Sequence, residues 1–106
     1  MKSAQTLDLA HLSAQAAGDK LLMEQVLGLF LDHAETVLEA LAAATDSKAW
    51  HDHAHSLKGS AKGVGCWAVA EAALSAEQNP LDPAQIPPLR AAFSEARAAI
   101  TAYQAG

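Results

Sequence analysis

Hydrophobic positions recur along this chain with the spacing of α-helices. In the middle of the sequence Trp50, Ala54, Leu57, Ala61 and Val64 follow one another at alternating steps of four and three residues, which places them on one face of a helix. No alternation of the strand type continues for more than a few residues, and β-branched residues are sparse beside Ala, Leu, Glu and Gln. The pattern therefore predicts an all-α fold.

Capping and helix-breaking residues divide the chain into five predicted helices. Thr6, Asp19 and Asp46 stand where the N-caps of the first three helices are expected, and Gly18 and Gly65 stand where the first and third should end. All four prolines fall between positions 80 and 88, too densely for a helix interior, so that segment is predicted to be an ordered connector that delivers a proline to the first turn of the last helix. The predicted helices cover residues 7–16, 20–44, 47–64, 67–78 and 88–103.

Each remaining helix also has an apolar face. Amphipathic helices with short connections bury such faces only against one another, which predicts an antiparallel four-helix bundle with a short additional N-terminal helix. The residues predicted to face inward are Leu9 and Leu12 in the first helix, Leu22, Val26, Leu29, Phe30, Val37 and Leu41 in the second, Val69, Ala70, Ala73 and Leu74 in the fourth, and Leu89, Ala92, Phe93, Ala96 and Ile100 in the last.

Length and composition limit the domain organisation. The 106 residues suffice for a single domain, residues 1–106, of which residues 1–5 are expected to be flexible. Hydrophobic residues make up 51% of the chain and charged residues 18%, as in a compact soluble domain. No apolar run approaches the roughly 20 residues of a membrane span, and the start of the chain lacks the layout of a signal peptide. These features predict a cytoplasmic protein that does not interact with a membrane.

Charge and cysteine content narrow the function further. The net charge of −5 disfavours nucleic acid as a partner, because binding to its backbone needs an excess of clustered Lys and Arg. The single Cys66 cannot form an internal disulfide, which agrees with a reducing compartment, and it is interpreted as a semi-buried apolar residue rather than a reactive thiol.

One segment of the third helix combines residues that suit the chemistry of phosphoryl groups. In His55-Ser56-Leu57-Lys58-Gly59-Ser60, the imidazole has Lys58 at i+3 and Gly59 at i+4, and it lies about 130° from the middle of the core face, so it points to solvent. A neutral imidazole offers a lone pair to an incoming phosphoryl group, and Lys58 can offset the negative charge. Gly59 costs about 1 kcal/mol relative to Ala in a helix interior, so its presence suggests a need for clearance.

This segment resembles the signature of histidine-containing phosphotransfer (HPt) domains, in which the phospho-accepting His is followed by Leu-Lys-Gly and later by a Gly that ends the helix, here Gly65. The helix layout resembles these domains over residues 7–103, whereas the specific motif covers only residues 55–65. The resemblance implies that His55 accepts a phosphoryl group from a phospho-aspartate of one response-regulator receiver domain and passes it to the aspartate of another. The protein would be a monomeric phosphocarrier with histidine phosphotransferase activity and without ATP-dependent kinase activity.

The resemblance also implies a set of partners and supporting residues. Receiver domains are the expected partners, with a hybrid sensor kinase as a further candidate, and no intrinsic cofactor is expected because the Mg²⁺ for transfer belongs to the receiver. Lys58 would stabilise the phosphate, Gly59 would give the partner clearance, and Lys62 and Gln78 would contact the partner. Glu77 is a weaker candidate than Gln78, since its charge disfavours a phosphate unless the carboxylate binds the imidazole N–H instead.

Two other classes of function remain open at this stage. His51, His53 and His55 could belong to a metal-binding bundle, but only His51 and His55 share a helix face, and two ligands are too few for a zinc site. A non-catalytic interaction bundle would leave Gly59 and the pairing of His55 with Lys58 unexplained. The sequence does not identify the receivers, the pathway, the direction of phosphoryl flow, or whether the chain acts alone or as part of a larger protein.

Overall fold

Five α-helices build the protein, for which a computed structural model describes residues 5–106. In chain order they are α1 (Leu9–Gln15), α2 (Lys20–Ala43), α3 (Ser47–Val64), α4 (Trp67–Gln78) and α5 (Ile86–Ala105), and the 3₁₀ helix Pro83–Gln85 precedes the last of them. Since residues 5–106 contain no strand, the predicted all-α class is confirmed.

Helix α3 lies at the centre of the packing. It contacts α2 on one side and α4 on the other, α5 contacts both α4 and α2, and α1 packs against α3 and α2. The five residues of its predicted core face, Trp50, Ala54, Leu57, Ala61 and Val64, are all buried, as the periodicity required. The opposite face of α3, which carries His55, is exposed.

The helix starts follow the predicted N-caps in two of three cases. Asp19 and Asp46 accept hydrogen bonds from the backbone N–H groups three residues ahead, at 3.1 and 2.8 Å. Thr6, however, is not the cap of α1. Asp8 is, accepting from the N–H of His11 at 3.1 Å, so α1 begins two residues later than expected. The Asp8 carboxylate also accepts from Trp67 Nε1 at 2.9 Å, a tertiary contact that favours Asp8 over Thr6.

Four leucines predicted to face inward are exposed instead: Leu9, Leu22, Leu29 and Leu74. Helix α2 carries more leucines than one face can bury, and hydrophobicity alone does not rank them. Its buried residues are Met23, Leu27, Phe30, Ala34, Val37, Leu38 and Leu41. In α4, alanines occupy three of the four buried positions, which allows close packing and leaves Leu74 at the surface. The remaining predicted inward residues are buried or packed against the core.

The last helix begins at Ile86, two residues earlier than predicted, and takes Pro87 and Pro88 into its first turn. This is tolerated because N–H groups in the first turn have no intrahelical acceptor to lose.

At the other end of the chain, the flexibility predicted for residues 1–5 can be compared with the structure only at Gln5, since residues 1–4 lie outside the described part. The Gln5 carbonyl accepts a hydrogen bond from Ala68 N at 2.9 Å, which ties this residue to α4.

Gly65 ends α3 as predicted, and its surroundings show why glycine is needed there. Its φ of +80° lies in the left-handed region, and a Cβ on this residue would stand 2.8 Å from the carbonyl oxygen of Asp8. The Gly65 carbonyl in turn accepts from Asp8 N at 2.9 Å. The adjacent Cys66 is fully buried, more than the predicted semi-buried position, and burial raises the pKa of its thiol to about 11, as expected of an apolar residue rather than a reactive thiol. Across residues 5–106, no helix has the length and apolar character needed to cross a membrane.

Candidate functional site

The His55 side chain lies on the outer face of α3 and is 65% exposed, as the helix periodicity predicts. The end of α4 faces it across the groove between the two helices. There the side chain of Glu77 is only 12% exposed, although it is a carboxylate. The site is therefore an exposed imidazole beside a largely covered negative charge.

Three side chains of α3 lie around Glu77, and two of them, Lys58 and His55, form hydrogen bonds to it. Its Oε1 lies 2.6 Å from Nζ of Lys58, and its Oε2 lies 2.9 Å from Nδ1 of His55 and 3.2 Å from Nε2 of His51. An ionised carboxylate has two oxygens that accept and none that donates, so one oxygen accepts from Lys58 and the other from His55. The hydrogen bond from Lys58 is the largest cause that holds the pKa of Glu77 below its ordinary value, and the bond from His55 acts in the same direction against the opposing effect of burial. Glu77 is therefore the anionic centre of this cluster.

A buried tryptophan fixes the position of Glu77. Trp50, on the core face of α3, donates from Nε1 to the carbonyl oxygen of Ala76 at 2.6 Å. Ala76 precedes Glu77 in the last turn of α4, and its carbonyl also accepts from the backbone N–H of the C-cap residue Asn79 at 3.1 Å. The hydrogen bond from Trp50 joins α3 to α4 and helps to set their register, which brings the Glu77 carboxylate level with His55 and Lys58.

The other predicted site residues surround this cluster. Lys58 is half-buried, with its ammonium group directed at Glu77. Gly59 is exposed, and a Cβ on it would meet no atom within 4 Å, so open space lies above the helix backbone next to His55. Lys62 is exposed and lines, together with Lys58 and Trp67, a shallow cavity of about 220 Å³.

The sequence favoured Gln78 over Glu77 as the residue near His55, but the structure places Glu77 there. The side chain that hydrogen-bonds to His55 belongs to Glu77, whereas Gln78 is exposed and has no hydrogen bond to His55. One residue along a helix turns the side chain by about 100°, so the choice between these neighbours depends on how α4 is rotated against α3. The sequence allowed a carboxylate beside His55 only if it binds the imidazole N–H, and Glu77 does so. His51, which the sequence suggested only as a metal ligand, lies beside the same carboxylate, with Nε2 3.2 Å from Oε2.

The histidines do not form the cluster expected of a metal site. The rings of His51 and His55 are parallel, with an interplanar angle of 10° and centroids 5.9 Å apart, whereas His53 lies elsewhere on the helix and is half-buried. Within residues 5–106, no group of three or more His, Cys, Asp or Glu side chains is placed to hold a metal ion. The geometry therefore gives no support to the metal-binding alternative.

Comparison with known proteins agrees with the site. A family model described as the Hpt domain matches residues 25–103, which include the whole of α3 and α4 and the motif around His55. The chain therefore belongs to the Hpt domain family, whose members carry out phosphotransfer in phosphorelays and interact there with receiver domains and kinases. No curated protein and no solved structure matches the chain.

Proposed function

We propose that the protein is a phosphocarrier of a two-component phosphorelay in which His55 exchanges a phosphoryl group with aspartates of receiver domains. The observation that carries this proposal is the 2.9 Å contact between Nδ1 of an exposed His55 and the Glu77 carboxylate. Because an ionised carboxylate only accepts, Nδ1 carries the proton, and the neutral ring keeps its lone pair on Nε2. Nε2 is thereby the nucleophile and faces away from the carboxylate.

The transfer step balances without a further base. The Nε2 lone pair of His55 forms a bond to phosphorus while the bond between phosphorus and the receiver's carboxylate oxygen breaks, and the electron pair leaves with that oxygen. The product is a cationic phospho-imidazole that still holds its Nδ1 proton, next to a regenerated aspartate. Glu77 stabilises the positive charge that appears on the ring, which is the kind of electrostatic support that matters most in phosphoryl transfer.

The neighbouring residues support this reaction in different ways. Lys58 stabilises the negative charge of the phosphoryl group, and Gly59 leaves room for the acidic pocket of the receiver, which supplies the Mg²⁺. Lys62 and Gln78 belong to the surface that contacts the receiver. We further propose that residues 1–106 form one domain, an antiparallel four-helix bundle with α1 as an additional N-terminal helix, that acts as a monomer.

Incubation with a phosphorylated, radiolabelled receiver domain tests the proposal. We expect the wild-type protein to acquire label as an acid-labile, alkali-stable phosphoramidate, and the His55→Gln variant to acquire none. The matched control is His53→Gln on the same helix, which should accept label at the wild-type rate. Label on the His55→Gln variant would refute the assignment of the phospho-acceptor.

A further inference from the structure

A shallow cavity begins where the cluster around Glu77 ends. It has a volume of about 220 Å³ and is lined by residues of α3 and α4, namely Lys58, Lys62, Trp67, Ala70, Glu71 and Leu74. Lys58 belongs to both places, because its ammonium group donates to Glu77 at 2.6 Å while its side chain lines the cavity. Leu74 lies one helical turn before Glu77 on α4. The cavity is therefore continuous with the site of the proposed transfer.

The lining of the cavity suits an apolar group. Ala70 is buried, Trp67 is half-buried, and Leu74 is 38% exposed although the sequence predicted it to face inward. The side chain of Lys58 is only 19% exposed, so most of its aliphatic stem is covered. An exposed leucine beside an indole ring is stabilised when another apolar group displaces water from both. The cavity thus offers uncovered apolar surface within two helical turns of His55.

The charges at the cavity restrict what can lie beside that apolar group. Lys62 on α3 is exposed and has no ion pair within residues 5–106, whereas Lys58 is paired with Glu77. Glu71 lines the cavity from α4. A carboxylate next to the inserted group is attracted by Lys62 and repelled by Glu71, so it would lie on the α3 side. The two charges therefore determine one orientation of an acidic partner.

Size and charge select the class of occupant. Sites for small molecules usually have volumes of about 300–1,000 Å³, so this smaller cavity fits one side chain of a protein rather than a cofactor. Nucleic acid is disfavoured by Glu71 and by the net charge of −5, and a second copy of this chain carries the same negative charge. A receiver domain brings carboxylates to His55 in the proposed function, and those carboxylates come close to Lys62.

We propose that the cavity between α3 and α4 is a docking site for one apolar side chain of the receiver domain, next to a receiver carboxylate that pairs with Lys62. The inference rests on the proposed function, because it names a contact of the same partner. Side chains that fill a pocket and exclude water dominate the affinity of many protein interfaces, whereas charges at the rim mainly set orientation and association rate. Leu74 is therefore the main affinity contact of this site and Lys62 its orienting charge.

A pair of leucine substitutions tests the apolar contact. Leu74→Gln removes the apolar wall of the cavity, and the matched control Leu21→Gln changes a leucine of α2 that is 64% exposed and does not line the cavity. Calorimetry measures the Kd for a receiver domain that transfers label to the wild-type protein. We expect Leu74→Gln to raise the Kd about 10-fold and Leu21→Gln to leave it unchanged. The loss in transfer by Leu74→Gln should be largely recovered at saturating receiver.

A pair of lysine substitutions tests the charge. Lys62→Glu and Lys20→Glu change the net charge equally, but Lys20 lies at the start of α2, outside the cavity. We expect Lys62→Glu to raise the Kd about 5-fold at low salt, with a smaller effect as salt is added, and Lys20→Glu to have the smaller effect throughout. Because Lys62 is exposed, this variant reports on docking even if Leu74→Gln lowers the melting temperature.

The indole resonance of Trp67 reports on the cavity directly. It should shift when the receiver domain is added to the unphosphorylated protein, and a fixed resonance in the complex would overturn the inference. Label on His55 together with wild-type affinity in both Leu74→Gln and Lys62→Glu would overturn the inference alone. Loss of self-association in Leu74→Gln with unchanged affinity for the receiver would also overturn it, since the cavity would then hold a second copy. No label on the wild-type protein would overturn the proposed function and the inference together.

Discussion

Among residues 5–106, two carboxylates accept from the N–H of an aromatic ring, and we propose that only one of them serves chemistry. Asp8 accepts from Trp67 Nε1 at 2.9 Å, and Glu77 accepts from His55 Nδ1 at the same distance. An indole N–H is a permanent donor that never exchanges its role, so the contact of Asp8 only fixes the position of α1 against α4. An imidazole has a second nitrogen, and a carboxylate that holds one nitrogen determines what the other can do.

The surroundings of the two carboxylates differ accordingly. The hydrogen bond from Trp67 is the main cause that lowers the pKa of Asp8, followed by the bond from the backbone N–H of His11, and both belong to fixed structure. The pKa of Glu77 is lowered chiefly by the hydrogen bond from Lys58, a charged side chain that in our proposal also stabilises the phosphoryl group. Similar hydrogen bonding therefore stabilises a helix start in one place and, in the proposed function, prepares a nucleophile in the other.

Removal of each carboxylate should separate these two roles most clearly. We expect Glu77→Ala to slow phosphoryl transfer by about 10- to 100-fold, because His55 loses the acceptor that fixes its tautomer and orientation, with little change in melting temperature. Asp8→Ala should lower the melting temperature, since α1 loses its N-cap and Trp67 its acceptor, and should leave the transfer rate per folded molecule unchanged. Timed phosphotransfer and thermal melting on both variants check this contrast, which fails if Asp8→Ala slows transfer as much as Glu77→Ala.

A conservative substitution at the same position sharpens the result. Glu77→Gln retains a carbonyl oxygen that can accept from Nδ1 of His55 but removes the negative charge. Its transfer rate should lie between those of the wild type and Glu77→Ala. Equal rates for Gln and Ala would show that the charge, and not the hydrogen bond, is what the reaction needs.

Gly65 and Gly59 allow a similar comparison, between a glycine that the fold needs and one that the proposed transfer reaction needs. Gly65→Ala should lower the free energy of unfolding by about 2 kcal/mol, because the left-handed conformation alone costs about 1–2 kcal/mol and the new Cβ would stand 2.8 Å from the Asp8 carbonyl oxygen. Chemical denaturation measures this loss. An unchanged stability would mean that the turn between α3 and α4 relaxes without cost.

Gly59 should respond in the opposite direction. Since a Cβ there meets open space, Gly59→Ala should raise the free energy of unfolding by up to about 1 kcal/mol. The bulkier Gly59→Gln should also fold but should impair transfer strongly, because its side chain would occupy the approach to His55. Thermal melting beside timed transfer from one receiver tests both expectations, and normal transfer by Gly59→Gln would show that the position is not needed for clearance.

The smallest effect is expected on the stability of the fold when the pH is lowered. The folded protein lowers the pKa of Glu77, so this group stabilises the fold above its ordinary pKa, and that contribution disappears as the pH falls through the lowered value. Between about pH 5 and pH 3 the stability of the wild type should therefore fall more steeply than that of Glu77→Gln. Parallel denaturation curves for the two proteins would contradict the assigned role of the ion pair with Lys58.

Local signals in the sequence were sufficient for α3. Its capping residue Asp46, its terminating Gly65 and the regular spacing of its core face are all properties of neighbouring residues, and all three predictions are confirmed. The exposure of His55 followed from the same spacing. Where the chain offered several equivalent residues, as among the leucines of α2, the choice of face depended on neighbouring helices, and Leu22 and Leu29 were predicted wrongly.

The acidic half of the site could not be predicted with the same certainty. Whether Glu77 or its neighbour faces His55 depends on the rotation of α4, which is set by the hydrogen bond from Trp50 to Ala76 and by the close packing of alanines against α3. The cap of α1 was misjudged for a similar reason, since the contact between Asp8 and Trp67 joins residues that are distant in the sequence. Motifs within one helix were recognisable, whereas contacts between helices required the structure.

The most direct test of the account is to determine which ring nitrogen of His55 bonds to phosphorus. Phosphorylated protein with ¹⁵N-labelled histidine should show phosphorus–nitrogen coupling to Nε2 of His55, because Glu77 holds the proton on Nδ1. The same spectrum of the His53→Gln variant should be unchanged. Phosphorus bonded to Nδ1 of His55, or to any other histidine, would contradict the proposal that Glu77 directs the transfer.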